Sequence, residues 1–224
     1  MPSRREFVER TTTIAALGAF SIPPSVWATV APRPESLSQG GAWNVAWPKR
    51  LTGKHKALFD VAEVESGYGV WRASAWAGQY MEVLKAPKTE VSPVIVLRHN
   101  AIVLAMQQVF WDTYSVGKTK LVTHPLTSQP TDRNPALLDE TAGIPAPFSQ
   151  AALHKQLARG VVVLACDLAL RDCAALIKAK KGVSDAVAHE EAVANLVPGV
   201  ILQPSGVFAA VLAQEAGCAY VRSS

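Results

Sequence analysis

The 224 residues of this chain, 49% of them hydrophobic, are enough for one substantial core but few for two, so we expect one domain. The net charge is only +4, and the 22 basic residues are scattered instead of forming a stripe, which argues against a nucleic-acid partner. Three cysteines are present without a CxxC pair or a metal-type Cys and His spacing, so we predict no metal site and no cofactor.

The first 28 residues are predicted to be an export signal. Arg4 and Arg5 stand in the sequence Ser-Arg-Arg-Glu-Phe, which resembles the twin-arginine (Tat) signal, and an apolar stretch follows at 14–22. Residues 26–28, Val-Trp-Ala, fit a signal-peptidase site, so we expect cleavage after Ala28. The alternative is a basic amphipathic helix. The export signal predicts a periplasmic mature chain. No later apolar run is long enough to span a bilayer, so we expect no membrane span in that chain.

Residues 29–53 are interpreted as a linker or arm, because they are rich in Pro, Gly and Ser. Trp43 and Trp47 lie in this segment, and we expect their side chains to pack on the domain or on a partner. The folded domain is expected over residues 54–224.

From residue 54 onward, apolar runs alternate with helical periodicity. Strands are predicted at 56–62, 93–97, 160–166, 199–204 and 218–221, and helices at 70–84, 101–110, 150–159, 168–177, 184–196 and 206–216. Residues 111–158 are irregular and rich in Pro, which is typical of a lid, a binding loop or an oligomer contact. The alternation predicts a three-layer α/β/α sandwich around a five-stranded, mainly parallel sheet.

Cys166 and Asp167 stand where the third predicted strand passes into a helix. Open α/β sheets place catalytic groups at the carboxyl ends of their strands, and a helix N-terminus stabilises a thiolate. We therefore predict that Cys166 is a nucleophile; the alternative is a buried packing residue. Asp167 either opposes the thiolate by its charge or caps the helix. Cys173, inside the helix, and Cys218, in an apolar edge strand, are predicted to be unreactive.

A second polar group, Arg98, His99 and Asn100, follows the strand at 93–97. Parallel strands align their carboxyl ends, so these residues are predicted to line one cleft with Cys166 and Asp167, provided that the two strands are near neighbours. There, Arg98 or His99 would stabilise the thiolate of Cys166.

Two segments resemble one known family. The Val-rich strand that ends in Cys166, with Ala169 and Arg171 in the next helix, resembles the cysteine-bearing segment of the DsrE-like sulfur-relay family, and residues 206–220 resemble the closing helix and strand of its exported, Tat-signal-bearing members. The resemblance spans about residues 54–222. It implies a five-stranded α/β domain, a homo-oligomer, and a persulfide on Cys166 that is exchanged with a sulfur donor or acceptor protein. The arm, the Pro-rich loop and the export signal differ from the cytoplasmic sulfur carriers, which leaves donor and acceptor open.

Three hypotheses of function follow. The leading one is an exported sulfur-handling protein with a persulfide on Cys166. The alternative is a non-catalytic periplasmic module of the same fold that binds a small ligand or serves assembly, because no acid–base pair is evident in the sequence. The third is a cofactor protein, suggested by the export route and by His99.

Overall fold

The computed structural model describes residues 43–146 and 148–224. The predicted signal peptide, 1–28, and residues 29–42 of the predicted arm lie outside the described residues. Within the described part of the chain, no helix combines the length and the apolar character that crossing a membrane requires.

One five-stranded sheet, with strand order β4-β3-β2-β1-β5, forms the middle of the fold. Its strands are His55–Val61 (β1), Val91–Leu97 (β2), Val162–Cys166 (β3), Ile201–Gln203 (β4) and Ala219–Arg222 (β5). Every pairing is parallel, which confirms the predicted fold class. The last five residues of β1 and of β2 and all of β3 are buried, because helices cover both faces of the sheet.

Seven α-helices occur among the described residues: Tyr68–Val83 (α1), Gln108–Tyr114 (α2), Val116–Thr119 (α3), Leu153–Ala158 (α4), Asp167–Lys181 (α5), Asp185–Ala194 (α6) and Gly206–Glu215 (α7). Short 3-10 helices lie at Trp47–Arg50, Glu65–Gly67, Lys88–Glu90, His99–Ala105, Pro135–Leu137, Glu140–Ala142 and Phe148–Ala151. The longest helices follow β1 and β3 and cross back over the sheet, as parallel strands require.

Two apolar cores separate the three layers. Alternate residues of β1 point to opposite faces, so Phe59 packs with α1 and α5 while Leu58 packs with α7. Trp47, which is 1% exposed, belongs to the α7 side, and its indole N–H donates to Oε1 of Gln203 at 3.1 Å. Of the two predicted alternatives for Trp47, the domain or a partner, the structure therefore shows packing on the domain.

The predicted helix at 101–110 is wrong. This segment forms the 3-10 helix His99–Ala105, then an extended stretch, and α2 begins only at Gln108. Met106 forms an antiparallel bridge with Leu196, and the N–H of Gln107 donates to the carbonyl of Asn195 at 2.9 Å. Residues 101–106 are buried on all sides, so they lack the polar face of a surface helix. Their backbone conformation instead follows from contacts with residues 195–197, which come directly after α6.

The predicted helix at 150–159 is also interrupted. A 3-10 helix, Phe148–Ala151, precedes α4, and Ala152 between them has a ψ of 135°. The other predicted helices and the five strands are present with shifted ends, which is normal for boundaries assigned from pattern alone.

Candidate functional site

The site predicted from the sequence lies at the carboxyl edge, the residues that follow the ends of β1, β2 and β3. The strands β2 and β3 pair directly, with Leu97 opposite Ala165, so Arg98 and Cys166 are the next residues on neighbouring strands. The strand β1 pairs with the other side of β2. The condition for a composite cleft, that the two strands are neighbours, is therefore met.

Cys166 is both the last residue of β3 and the N-cap of α5. Its backbone is extended, with φ −81° and ψ 115°, and its Sγ accepts the N–H of Ala169 at 3.4 Å. A backbone N–H in the first turn of a helix has no partner within the helix. Its hydrogen bond to sulfur is stronger when the sulfur is a charged thiolate than when it is a neutral thiol, so it stabilises the thiolate. Cys166 is only 6% exposed, so little of this residue is open to solvent.

Asp167, the first residue of α5, is buried and binds a histidine that the sequence analysis missed. Its Oδ1 lies 2.6 Å from Nε2 of His189, and the two side chains are only 2% and 6% exposed. This contact joins the first turn of α5 to α6. The signal for it was the position of His189 on the apolar stripe of α6, beside the fully buried Ala188 and Ala192.

Arg98 is held by a buried carboxylate. Its Nε and Nη2 donate to the two oxygens of Asp60 at 2.7 and 2.8 Å, and the hydroxyl of Tyr220 donates to Oδ2 of Asp60 at 2.7 Å. Burial alone would raise the pKa of Asp60, but the hydrogen bonds from Arg98 and Tyr220 and the charges of Arg98 and Arg222 outweigh burial and lower it. An aspartate inside an apolar strand was the available signal, because such a group needs a partner.

His99 and Asn100 form a third, exposed group around Glu63. Nδ1 of His99 lies 3.4 Å from Oε1 of Glu63, and Nδ2 of Asn100 donates to Oε2 at 2.8 Å. Lys120 donates to Oδ1 of Asn100 at 3.1 Å. His99 has a left-handed backbone, with φ 51°, and such conformations cost free energy and cluster at functional sites.

The predicted residues thus share one edge but divide into three separate groups. Among the hydrogen bonds and ion pairs of the described residues, none joins Cys166 to Arg98, His99 or Asn100. Arg98 is paired with Asp60, and His99 faces Glu63. The backbone at the start of α5, rather than a cationic side chain, is therefore the contact that would stabilise a Cys166 thiolate.

The other two cysteines lie in less favourable surroundings, and all three thiols are free. Burial, together with the charge of Asp172, raises the pKa of Cys173 to about 12. Burial also raises the pKa of Cys218, although Lys56 opposes the effect. Both thiols therefore stay protonated at neutral pH.

Comparison with protein families, curated proteins and solved structures finds no match to this chain. The fold and the site define an α/β sandwich protein with a free cysteine at the carboxyl end of a central strand. The resemblance to the DsrE-like family stays a prediction from the residues quoted above.

Proposed function

We propose that the chain is an exported sulfur-handling protein of the DsrE-like kind, in which Cys166 carries a persulfide. One observation carries the proposal: the sulfur of Cys166 caps the 15-residue helix α5 and faces the N–H of Ala169. Export rests on Arg4 and Arg5. Fractionation of cells that produce an Arg4→Lys, Arg5→Lys variant tests this part, and normal export of the variant would contradict it.

The chemistry needs no oxidant. The Cys166 thiolate attacks the outer sulfur of a donor persulfide, the S–S bond of the donor breaks, and the donor leaves as a thiolate with the electron pair of that bond. One S–S bond is broken and one is formed, so no net oxidation occurs. Attack by an acceptor thiolate on the outer sulfur of the loaded Cys166 completes the transfer.

Access to the sulfur limits which donors can react. With 6% of Cys166 exposed, a protein donor reaches the sulfur only if the first turn of α5 moves, whereas a small persulfide needs less room. The contact between Asp167 and His189 holds that turn. Loading by small donors is therefore expected to be the faster reaction.

The test is the intact mass of the purified protein after incubation with glutathione persulfide. We expect a gain of one sulfur atom in the Cys173→Ser and Cys218→Ser variants and none in Cys166→Ser. These two variants are matched controls, because each also removes one thiol. Uptake of sulfur by Cys166→Ser at the normal level would remove the proposal.

A second candidate is an assembly module without turnover, and the outer face of α7 favours it. Val207, Phe208 and Val211 are exposed there, while Ala209 and Ala213 of the same helix are fully buried. A helix that is apolar all round is usually covered on both sides, and a second copy of this chain would cover this one. This arrangement would give the predicted homo-oligomer.

A further inference from the structure

A cavity of about 500 Å³ lies at the amino edge of the sheet, the end opposite to Cys166. Its walls come from the first residues of β2, from the residues just before β3, from the second half of α1, and from residues 50–52. The volume is in the range of small-molecule sites. No residue of the carboxyl edge lines it, so what it binds does not depend on chemistry at Cys166.

The charge of the cavity has one sign. Among the described residues, Arg50, Lys88 and Arg159 line it, and neither an aspartate nor a glutamate does. Arg50 donates to the carbonyl of Gly160 at 3.4 Å, and Arg159 donates to the side chain and the carbonyl of Gln150 at 3.3 and 2.6 Å. These partners are neutral, and no ion pair joins the three cations to a carboxylate within residues 43–146 and 148–224.

The three cations are exposed, so they form a rim, whereas the deeper wall is neutral. Leu51, Pro93 and Val161 contribute buried apolar surface. Ser74 and Ser92 are half-buried and supply hydroxyls, although Oγ of Ser92 already accepts the N–H of Gly53 at 3.0 Å. A ligand that fits carries its negative charge at one end and hydrocarbon at the other.

We propose that this cavity binds a small organic carboxylate, with the carboxylate at the Arg50 and Arg159 rim and the hydrocarbon against the apolar wall. Guanidinium groups match the planar, two-oxygen geometry of a carboxylate. The site is independent of the persulfide chemistry.

Gly78 offers a steric test. It lines the cavity from α1, and a Cβ added there meets no atom of residues 43–146 and 148–224 within 4 Å. The variant Gly78→Leu therefore adds a large side chain to the cavity wall at a position where its Cβ has room. We expect it to unfold at the same temperature as the unmodified protein or higher, because Leu also favours a helix over Gly. A large fall in the unfolding temperature would mean that the protein itself occupies the space, which would overturn the proposal.

Binding is measured with the full-length chain by amide-resolved NMR titration with hexanoate, its neutral analogue hexanamide, and inorganic phosphate. We expect hexanoate to shift the amide signals of Gly78, Ser92 and Gly160. Hexanamide, which carries no charge, should bind at least about tenfold more weakly than hexanoate. Gly78→Leu should abolish the shifts. Arg50→Gln and Arg159→Gln should each weaken binding several-fold, whereas Arg133→Gln, an exposed arginine outside the cavity, should not. Equal binding of hexanamide, stronger binding of phosphate than of hexanoate, or no shift at these amides would overturn the proposal.

Discussion

Asp60, which the sequence analysis did not single out, connects three parts of the fold beside the carboxyl edge. Its side chain, 5% exposed, accepts two hydrogen bonds from Arg98 and one from Tyr220. Its backbone carbonyl accepts the N–H of Ser223 at 2.9 Å. One residue thus links β1, the segment after β2, and β5, and loss of its charge would leave a guanidinium in a partly buried place without its counter-ion.

The variant Asp60→Asn should lower the free energy of unfolding at pH 7 by about 2 kcal/mol, because Arg98 loses its anionic partner. The folded protein depresses the pKa of Asp60 below the usual 3.8, so the stabilisation is complete above that pH and is lost as pH falls through the lowered value. Urea unfolding at pH 7 and pH 3 measures this.

The difference between Asp60→Asn and the unmodified protein should therefore be smaller at pH 3 than at pH 7. Asp132→Asn, which changes an exposed aspartate, is the matched control and should have little effect at either pH. A difference for Asp60→Asn that stays constant with pH would show that the carboxylate charge has no such role.

The close contact between the start of α7 and the residue after β2 requires a glycine, Gly206, which has no side chain. A Cβ added to Gly206, the first residue of α7, would lie 2.6 Å from Cβ and 2.7 Å from Cδ of Arg98. Arg98 cannot move aside freely because its Nε and Nη2 both donate to Asp60. Glycine is therefore needed where this helix approaches the strand end.

We expect Gly206→Ala to lower the free energy of unfolding by about 1–3 kcal/mol, because Arg98 or α7 must shift to admit the new methyl group. The same substitution at Gly78 should raise it by up to about 1 kcal/mol, because space is open there and alanine favours a helix. Chemical denaturation measures the free energy of unfolding of both variants. If Gly206→Ala and Gly78→Ala changed it by the same amount in the same direction, the account would be contradicted.

Elements with a clear pattern were predictable from the sequence, and the exceptions have a physical reason. The Val-rich β3 and the helix α5 follow from a change in period at Cys166. The segment 101–106 was not predictable, because its residues are buried on all sides and its end is held by hydrogen bonds and a β-bridge to residues 195–197, which are distant in the sequence. Periodicity describes an element with one apolar face and says little about one without a polar face.

The candidate site was predictable in position but not in its partners. The rule that parallel strands align their carboxyl ends brought Arg98 and Cys166 to the same edge. The pairing of Arg98 with Asp60 and of Asp167 with His189 depends on strand order and helix packing, and sequence spacing carries neither. The cations expected to stabilise the thiolate therefore have carboxylate neighbours that the sequence did not reveal.

At the scale of the whole molecule, the exposed apolar face of α7 predicts a homo-oligomer. The double variant Val207→Glu, Val211→Glu should be a monomer, because two charges would be buried in the contact between copies. Size-exclusion chromatography with light scattering measures the mass in solution. Val187→Glu, on α6, is the matched control, since this valine is also exposed (48%) but lies on another helix. A monomeric unmodified protein, or a double variant that keeps the oligomer, would contradict the prediction.

The central claim, that Cys166 is the reactive thiol, is tested most directly by labelling the native protein with iodoacetamide at pH 7 and mapping the modified peptides. Cys166 faces the N–H of Ala169, whereas burial raises the pKa of both Cys173 and Cys218. We therefore expect label on Cys166 alone in the folded protein and on all three cysteines after unfolding in urea. A Cys166 that stays unlabelled until the protein unfolds would contradict the account.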